Sequence, residues 1–220
     1  MMKPDYDRAA NAAIDTLIKY KIHSAPVDPI RIIKEADGFN VVTFSEWSDS
    51  LGMNREELIQ IFPSSDHDAV SCVYMKDGKP HYLIAYNKLL PEHLIYRALA
   101  REIGHFVLGH DGTKPVEVRN AEALCFANHL LCPRPLIHAI QEAGALITVE
   151  VLGNTTGCNE HCLMKMRKIP ATHVDPEKNR IVREQFSKYI KEFLDFQEFL
   201  SKEDESMLAN FGTYMEGYEE

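Results

Sequence analysis

The stretch LAREIGHFVLGH, residues 99–110, decides how the rest of this chain is arranged. Together with the residues before it, back to Pro91, it carries apolar side chains at helical spacing in two separate stripes. A helix with two apolar stripes needs packing partners on both sides, so we expect a mostly buried helix between a sheet and later helices. Arg101 and His105 are four residues apart and therefore share one face of that helix.

One residue separates this stretch from a known catalytic pattern. With histidine at position 101 it would contain HEIGH, an H-E-x-x-H pattern in which two imidazoles on one helix face bind zinc and the glutamate acts as general base on zinc-bound water. Arg101 has no lone pair to offer a metal, and its fixed charge opposes a nearby cation. Gly104 is unfavourable inside a helix by about 1 kcal/mol relative to alanine, which predicts a close packing contact there.

The helix expected at 120–133 supplies the second part of the candidate site. It contains Glu122 among core-facing apolar residues. An inward carboxylate needs a cationic partner, and we expect Arg101 to provide it, because a guanidinium fork matches a carboxylate. His129, seven residues after Glu122, is expected to be an ordinary buried or rim histidine.

The motifs AREIGHFVLGH at 100–110 and AEALCFANHLLCP at 121–133 together resemble the ImmA/IrrE family of gluzincin-like zinc metallopeptidases. The resemblance spans roughly residues 26–168. It implies a zincin-like fold, with Glu102 as catalytic base and His105 and Glu122 as zinc ligands. Arg101 falls on the position of the first ligand. One imidazole and one carboxylate bind zinc far more weakly than a three-ligand site, so we expect zinc to be absent or weakly bound.

The resemblance also implies a cytoplasmic protease that cleaves a transcriptional repressor, often in a mobile element. Because of Arg101, we expect an inactive peptidase-like protein that binds a regulatory protein such as a repressor. One alternative is an active zinc-dependent endopeptidase with a recruited ligand. His110 is the first candidate, although it lies about 140° around the helix from His105. A third interpretation is a mobile-element component without a peptide groove.

The order of the predicted elements indicates the fold class. Helices at 5–20 and from Asp28 precede a strand at 39–44, a short helix at 54–61 and a hairpin around Asp77-Gly78. From Pro91 onward the pattern is almost entirely helical. This segregation predicts an α+β fold, in which a small antiparallel sheet packs on a mostly helical block with a central helix of the active-site type.

Two regions are expected, a metallopeptidase-like domain at 1–170 and an acidic helical extension at 171–220. In the extension, one or two helices after Glu177 should pack an apolar face on the domain, formed by Ile190, Phe193, Leu194 and Leu200. From Glu192 onward there are nine acidic residues and one basic residue, which accounts for most of the net charge of −9.

Composition excludes several classes of function. No basic stripe is present, so direct nucleic-acid binding is disfavoured. No apolar run approaches the roughly 18 residues that cross a bilayer. The five cysteines are scattered and odd in number, which favours a reducing cytosol. The pair Cys158 and Cys162, with His161 between them, is a weak second zinc signal, and we expect these cysteines to pack as small apolar residues.

Overall fold

The structure, a computed structural model, describes residues 2–61, 68–145, 148–157 and 171–216. Three strands and a larger set of helices follow one another along the described chain. In order they are α1 (Tyr6–Lys19), α2 (Pro29–Glu35), β1 (Phe39–Thr43), α3 (Phe44–Leu51), α4 (Arg55–Ile61), β2 (Ala69–Lys76), β3 (Lys79–Tyr86), α5 (Glu92–Val107), α6 (Val116–Leu131), α7 (Arg134–Glu142), α8 (Val149–Thr156), α9 (Pro176–Gln185) and α10 (Ser187–Glu216).

Local capping determines where the first helices begin. The Asp5 side chain accepts a hydrogen bond from the backbone N–H of Arg8 at the start of α1, and the Asp28 side chain caps α2 as predicted. Helix α3 was not predicted. It begins because Thr43 and Glu46 form a reciprocal capping box that ends β1 at Thr43.

The sheet is mixed, with the strand order β1-β3-β2. The predicted hairpin is confirmed, since β2 and β3 are antiparallel and joined at Asp77-Gly78. The prediction of a wholly antiparallel sheet is wrong, because β1 pairs with β3 in parallel, from Phe39 opposite Tyr82 to Thr43 opposite Tyr86. The alternation of apolar residues indicates which residues form strands. It does not indicate the direction of β1 relative to its neighbour, which depends on β3 being the central strand.

The sheet separates two apolar clusters, which fixes the α+β arrangement. The smaller cluster, on one side of the sheet, contains Phe44, Trp47 and Leu58 from α3 and α4. On the other side lies the main core, to which α1, α2, α5, α6, α7 and α9 contribute. Helix α5 follows β3 directly and packs against the sheet and α6, as its two stripes predict.

The C-terminal helices also pack on this core. Val182 and Phe186 are fully buried in it, and Ile190 and Phe193 are half-buried against it. This confirms the predicted helices after Glu177. Leu200 is an exception, because 41% of it is exposed. The division of the chain at residue 170 stays a prediction. Among the described residues, no helix is both long and apolar enough to cross a membrane.

Candidate functional site

A groove of about 610 Å³ runs between β2 and the helices α5 and α6. We define the groove by the residues along its two walls. The sheet supplies Ser71, Val73 and Tyr82, and the helices α5 and α6, with the turn between them, supply Arg101, Glu102, His105, His110, Val116 and Arg119. The α5 face that carries positions 101 and 105 therefore opens into this cavity, and it brings ionisable side chains opposite a strand.

Glu102 is held on the floor of the groove and is only 6% exposed. Its Oε2 accepts a 2.5 Å hydrogen bond from the Ser71 hydroxyl, and its Oε1 accepts one of 3.2 Å from the Arg101 guanidinium. Arg101 thus forms an ion pair with the neighbouring carboxylate on its own helix. The expected pairing of Arg101 with Glu122 is wrong.

Glu122 is also buried, at 1% exposure, but its donors come from elsewhere. Lys114 Nζ lies 3.0 and 2.8 Å from its two carboxylate oxygens. The backbone N–H of Asp5 donates to Oε1 at 2.9 Å, and His110 Nε2 lies 2.8 Å from Oε2. Burial raises the pKa of Glu122, but the bonds from Lys114, Asp5 and His110 outweigh it and lower the pKa below 4.5. Glu122 is therefore an anion whose acceptor positions are taken.

His110 joins the two ligands that the resemblance implies. Helix α5 ends at Val107, and Gly109 then adopts a positive φ of 60°. Backbone bonds from Gly109 to Phe106 and from His110 to His105 close a Schellman turn. The turn brings the His110 ring back to the helix, so that its Nδ1 lies 2.9 Å from His105 Nδ1. The angle of 140° around a continuous helix therefore does not describe how the two histidine rings are placed, because His110 lies beyond the end of the helix.

The bonds of His110 also determine the protonation of His105. Burial lowers the pKa of both histidines, that of His105 to about 4. A neutral His110 that donates from Nε2 to Glu122 accepts at Nδ1, so the Nδ1 of His105 carries a hydrogen. The lone pair of His105 is then on Nε2. These assignments follow from the hydrogen-bond network.

This donor set does not fit a three-ligand zinc site as it is arranged. His105 and Glu122 belong to one cluster, as the resemblance implies, but His110 lies between them and Lys114 supplies the positive charge at Glu122. Within the described ranges, no three His, Cys, Asp or Glu side chains form a group that could hold a metal ion. Cys158, His161 and Cys162 lie outside the described residues.

Two further predictions concern packing around the site. A Cβ added at Gly104 would lie 2.9 Å from the Phe126 ring and 3.2 Å from the Ala123 carbonyl oxygen. The expected close contact at Gly104 is therefore confirmed, and α6 makes it. His129 is buried, with its Nε2 3.0 Å from the Thr172 hydroxyl. Burial lowers the pKa of His129 to about 4, which confirms an ordinary buried histidine.

Sequence reasoning missed three residues of the site, Ser71, Lys114 and Arg119. Ser71 lies on β2, 31 residues before its partner Glu102. Lys114 lies in the loop before α6, and no helical spacing links it to Glu122. Arg119 is one turn before Glu122 on α6. This spacing, which puts both side chains near the same face of the helix, is the feature of the sequence that could have identified Arg119.

Comparison of the chain with protein-family models, with curated proteins and with solved structures gives no match. The function of this chain therefore has to be argued from its motifs and from the geometry of the groove.

Proposed function

We propose that this chain is a non-catalytic protein of the ImmA/IrrE type, with a zincin-like fold, that binds an extended segment of a regulatory protein in the groove. A transcriptional repressor is the kind of partner that the resemblance implies, and the cytoplasm is the compartment. The observation that carries the proposal is the arrangement around Glu122. His105 and Glu122, which would bind zinc in an active relative, are both hydrogen-bonded to His110, and Glu122 also pairs with Lys114.

The charge at Glu122 supports a non-catalytic site. Catalytic zinc sites keep three protein ligands and one position for water. Here Arg101 offers no ligand, and the Lys114 ammonium is within hydrogen-bond distance of both oxygens of Glu122. Zinc would have to displace this cation, and the site would still lack the imidazole that a histidine at position 101 would supply. We infer that zinc is absent or weakly bound in the wild-type protein.

The walls of the groove support peptide binding. In the described sheet β2 is an edge strand, paired with β3 on one side only. Extended peptides bind to proteins by adding a strand at such an edge. Val73 is 60% exposed and Met75 is 67% exposed on the strand face that carries Ser71 toward Glu102. The groove therefore offers backbone groups and apolar contacts to an extended segment.

The alternative is an active zinc-dependent endopeptidase that cleaves a repressor. Glu102, the residue that matches the catalytic base, is retained on the floor of the groove, and His105 and His110 stand beside each other in it. If Lys114 moved away, His105, His110 and Glu122 would form a ligand set of the His₂Glu type. The experiment that tests the proposal must therefore detect cleavage as well as binding.

The test incubates the protein with a pool of random heptapeptides, blocked at both ends, with and without added zinc, and identifies retained and cleaved peptides by mass spectrometry. We expect retention of a subset of intact peptides, independent of zinc. The Val73→Asp variant should no longer retain these peptides, because it places a charge on the exposed rim of the groove. Leu89→Asp is the matched control, since Leu89 is 78% exposed in the β3–α5 connection, outside the groove lining.

Two results would contradict the proposal. Equal retention by the wild type and the Val73→Asp variant would place peptide binding outside the groove. Zinc-dependent cleavage that is lost in Glu102→Gln would establish the endopeptidase instead.

A further inference from the structure

The described lining of the groove carries a net positive charge, although the chain as a whole carries a net charge of −9. Its lining contains two guanidinium groups, Arg101 and Arg119, and one carboxylate, Glu102. Arg101 is paired with Glu102. The charge of Arg119 therefore dominates this surface.

Arg119 lies in the groove without an acceptor among the described residues. Its Nε is buried and has no hydrogen-bond partner there. Hydrogen bonds from Thr113, and to a lesser extent the charge of Arg119, lower the pKa of Asp111, but the Asp111 carboxylate is exposed and accepts its bonds from Thr113. No ion pair within 4 Å joins Arg119 to a described carboxylate. Buried donors in native proteins are nearly always paired, so this position calls for an acceptor from outside the described chain.

We infer that Arg119 is a carboxylate-recognition site, and that the segment bound in the groove carries an acidic side chain at this point. This inference rests on the proposed peptide groove and names the chemistry of its partner. A guanidinium presents a planar fork of donors that matches a carboxylate in bidentate geometry. Arg119 and His105 both line the groove. The acidic side chain would therefore lie beside His105.

A peptide carboxylate suits this site better than a nucleic-acid phosphate. Binding to a phosphate backbone requires several cations along a stripe. In the groove, the charge of Arg101 is offset by Glu102, and Lys114 is engaged with Glu122. One uncompensated cation next to an edge strand selects a single anionic group on an extended chain.

The test compares two pools of blocked pentapeptides that are random except at the central residue, which is Asp or Glu in one pool and Asn or Gln in the other. Retention by the full-length protein is measured by equilibrium dialysis and mass spectrometry. We expect the wild type to retain the acidic pool about tenfold better, as a charge-assisted hydrogen bond provides. Salt at 1 M should reduce this preference.

Variants of the arginines identify the residue responsible. Arg119→Met should abolish the preference, so that both pools are retained equally. Arg119→Lys should retain part of the preference because a cation remains. Arg31→Met is the matched control, since Arg31 lies on α2 outside the groove and pairs with Glu35. It should retain the full preference.

The outcomes separate this inference from the proposed function. If the wild type retains both pools equally, Arg119 does not select a carboxylate, and the peptide groove still stands. If Arg119→Met retains the acidic preference of the wild type, the selection arises elsewhere and the inference is wrong. If the wild type retains neither pool, the peptide groove is contradicted and the inference fails with it.

Discussion

Glu102 and Glu122 are two buried carboxylates on adjacent helices, and they are stabilised in different ways. Glu102 faces the groove, and among the described residues it accepts hydrogen bonds from the Ser71 hydroxyl and the Arg101 guanidinium, both in the groove lining. Glu122 lies at the junction of α1, the loop before α6 and the end of α5, and it accepts bonds from all three. The difference indicates that Glu122 stabilises the fold, whereas Glu102 lies in the lining of the groove.

Removal of the two carboxylates should have unequal effects on stability. Glu122→Ala leaves the Asp5 amide and the His110 ring without their acceptor and Lys114 without its counter-ion, so it should lower the free energy of unfolding by about 3–5 kcal/mol. Glu102→Ala should cost about 1–2 kcal/mol, since Arg101 is near solvent in the groove. Urea denaturation of both variants measures the difference, and equal losses would contradict the contrast.

Introducing a histidine at position 101 tests whether Glu122 can act as a metal ligand. Arg101→His adds a second imidazole on the helix face of His105, so this variant should bind zinc. The double variant with Lys114→Met should bind it more tightly, because the competing cation is gone. At a zinc concentration of 100 times Kd, the stabilisation should be about 2.7 kcal/mol.

Thermal melts with and without zinc, together with metal analysis, measure this effect. The wild type is the control and should show no zinc-dependent shift. If the double variant also shows none, the ligand set implied by the resemblance is wrong.

The pH dependence of stability should distinguish the histidines from the carboxylates. The pKa of His105 and of His129 is lowered to about 4 by burial, so each ring is neutral in the folded protein while it becomes protonated below about pH 6.5 in the unfolded chain. Stability from these groups is therefore complete above pH 6.5 and is lost as the pH falls toward 4. Each contributes about 2 kcal/mol between pH 6.5 and 5.

The lowered pKa of Glu122 acts in a different window. Its stabilisation is present above the unfolded pKa, near 4.5, and is lost below it. Denaturation at pH 7 and pH 5 measures the histidine effect alone. His129→Gln should remove part of the loss, because His105 and His110, whose pKa values burial also lowers, are unchanged in this variant. An unchanged loss would show that His129 is not responsible.

The smallest expected effect concerns the contact that holds the two helices together. Alanine at Gly104 would gain about 1 kcal/mol of helix propensity, but its Cβ would meet the buried Phe126 ring and the Ala123 carbonyl. Overpacking of this kind costs about 1–3 kcal/mol, so the net loss should be about 1 kcal/mol. Gly112→Ala, in open space, is the control. A stabilised Gly104→Ala variant would show that α5 and α6 are less closely packed.

The sequence by itself determined most of the secondary structure, although not α3, and it identified the central helix. The two apolar stripes around 99–110 predicted its burial, Gly104 predicted its close contact, and Asp77-Gly78 predicted the hairpin, because each of these signals arises from residues near one another in the chain. The same local reasoning gave the α+β class, and it identified Glu102, His105 and Glu122 as the residues of interest.

The tertiary structure alone decided the direction of β1 and the partners of the charged groups. Arg101 pairs with Glu102, and Lys114 and the Asp5 amide bind Glu122. The sequence indicated only that an inward carboxylate requires a positive partner. Which cation reaches it depends on where a loop, a Schellman turn and the N-terminus of α1 meet in space. Distances of this kind are fixed by packing between distant segments, and no local pattern of residues records them.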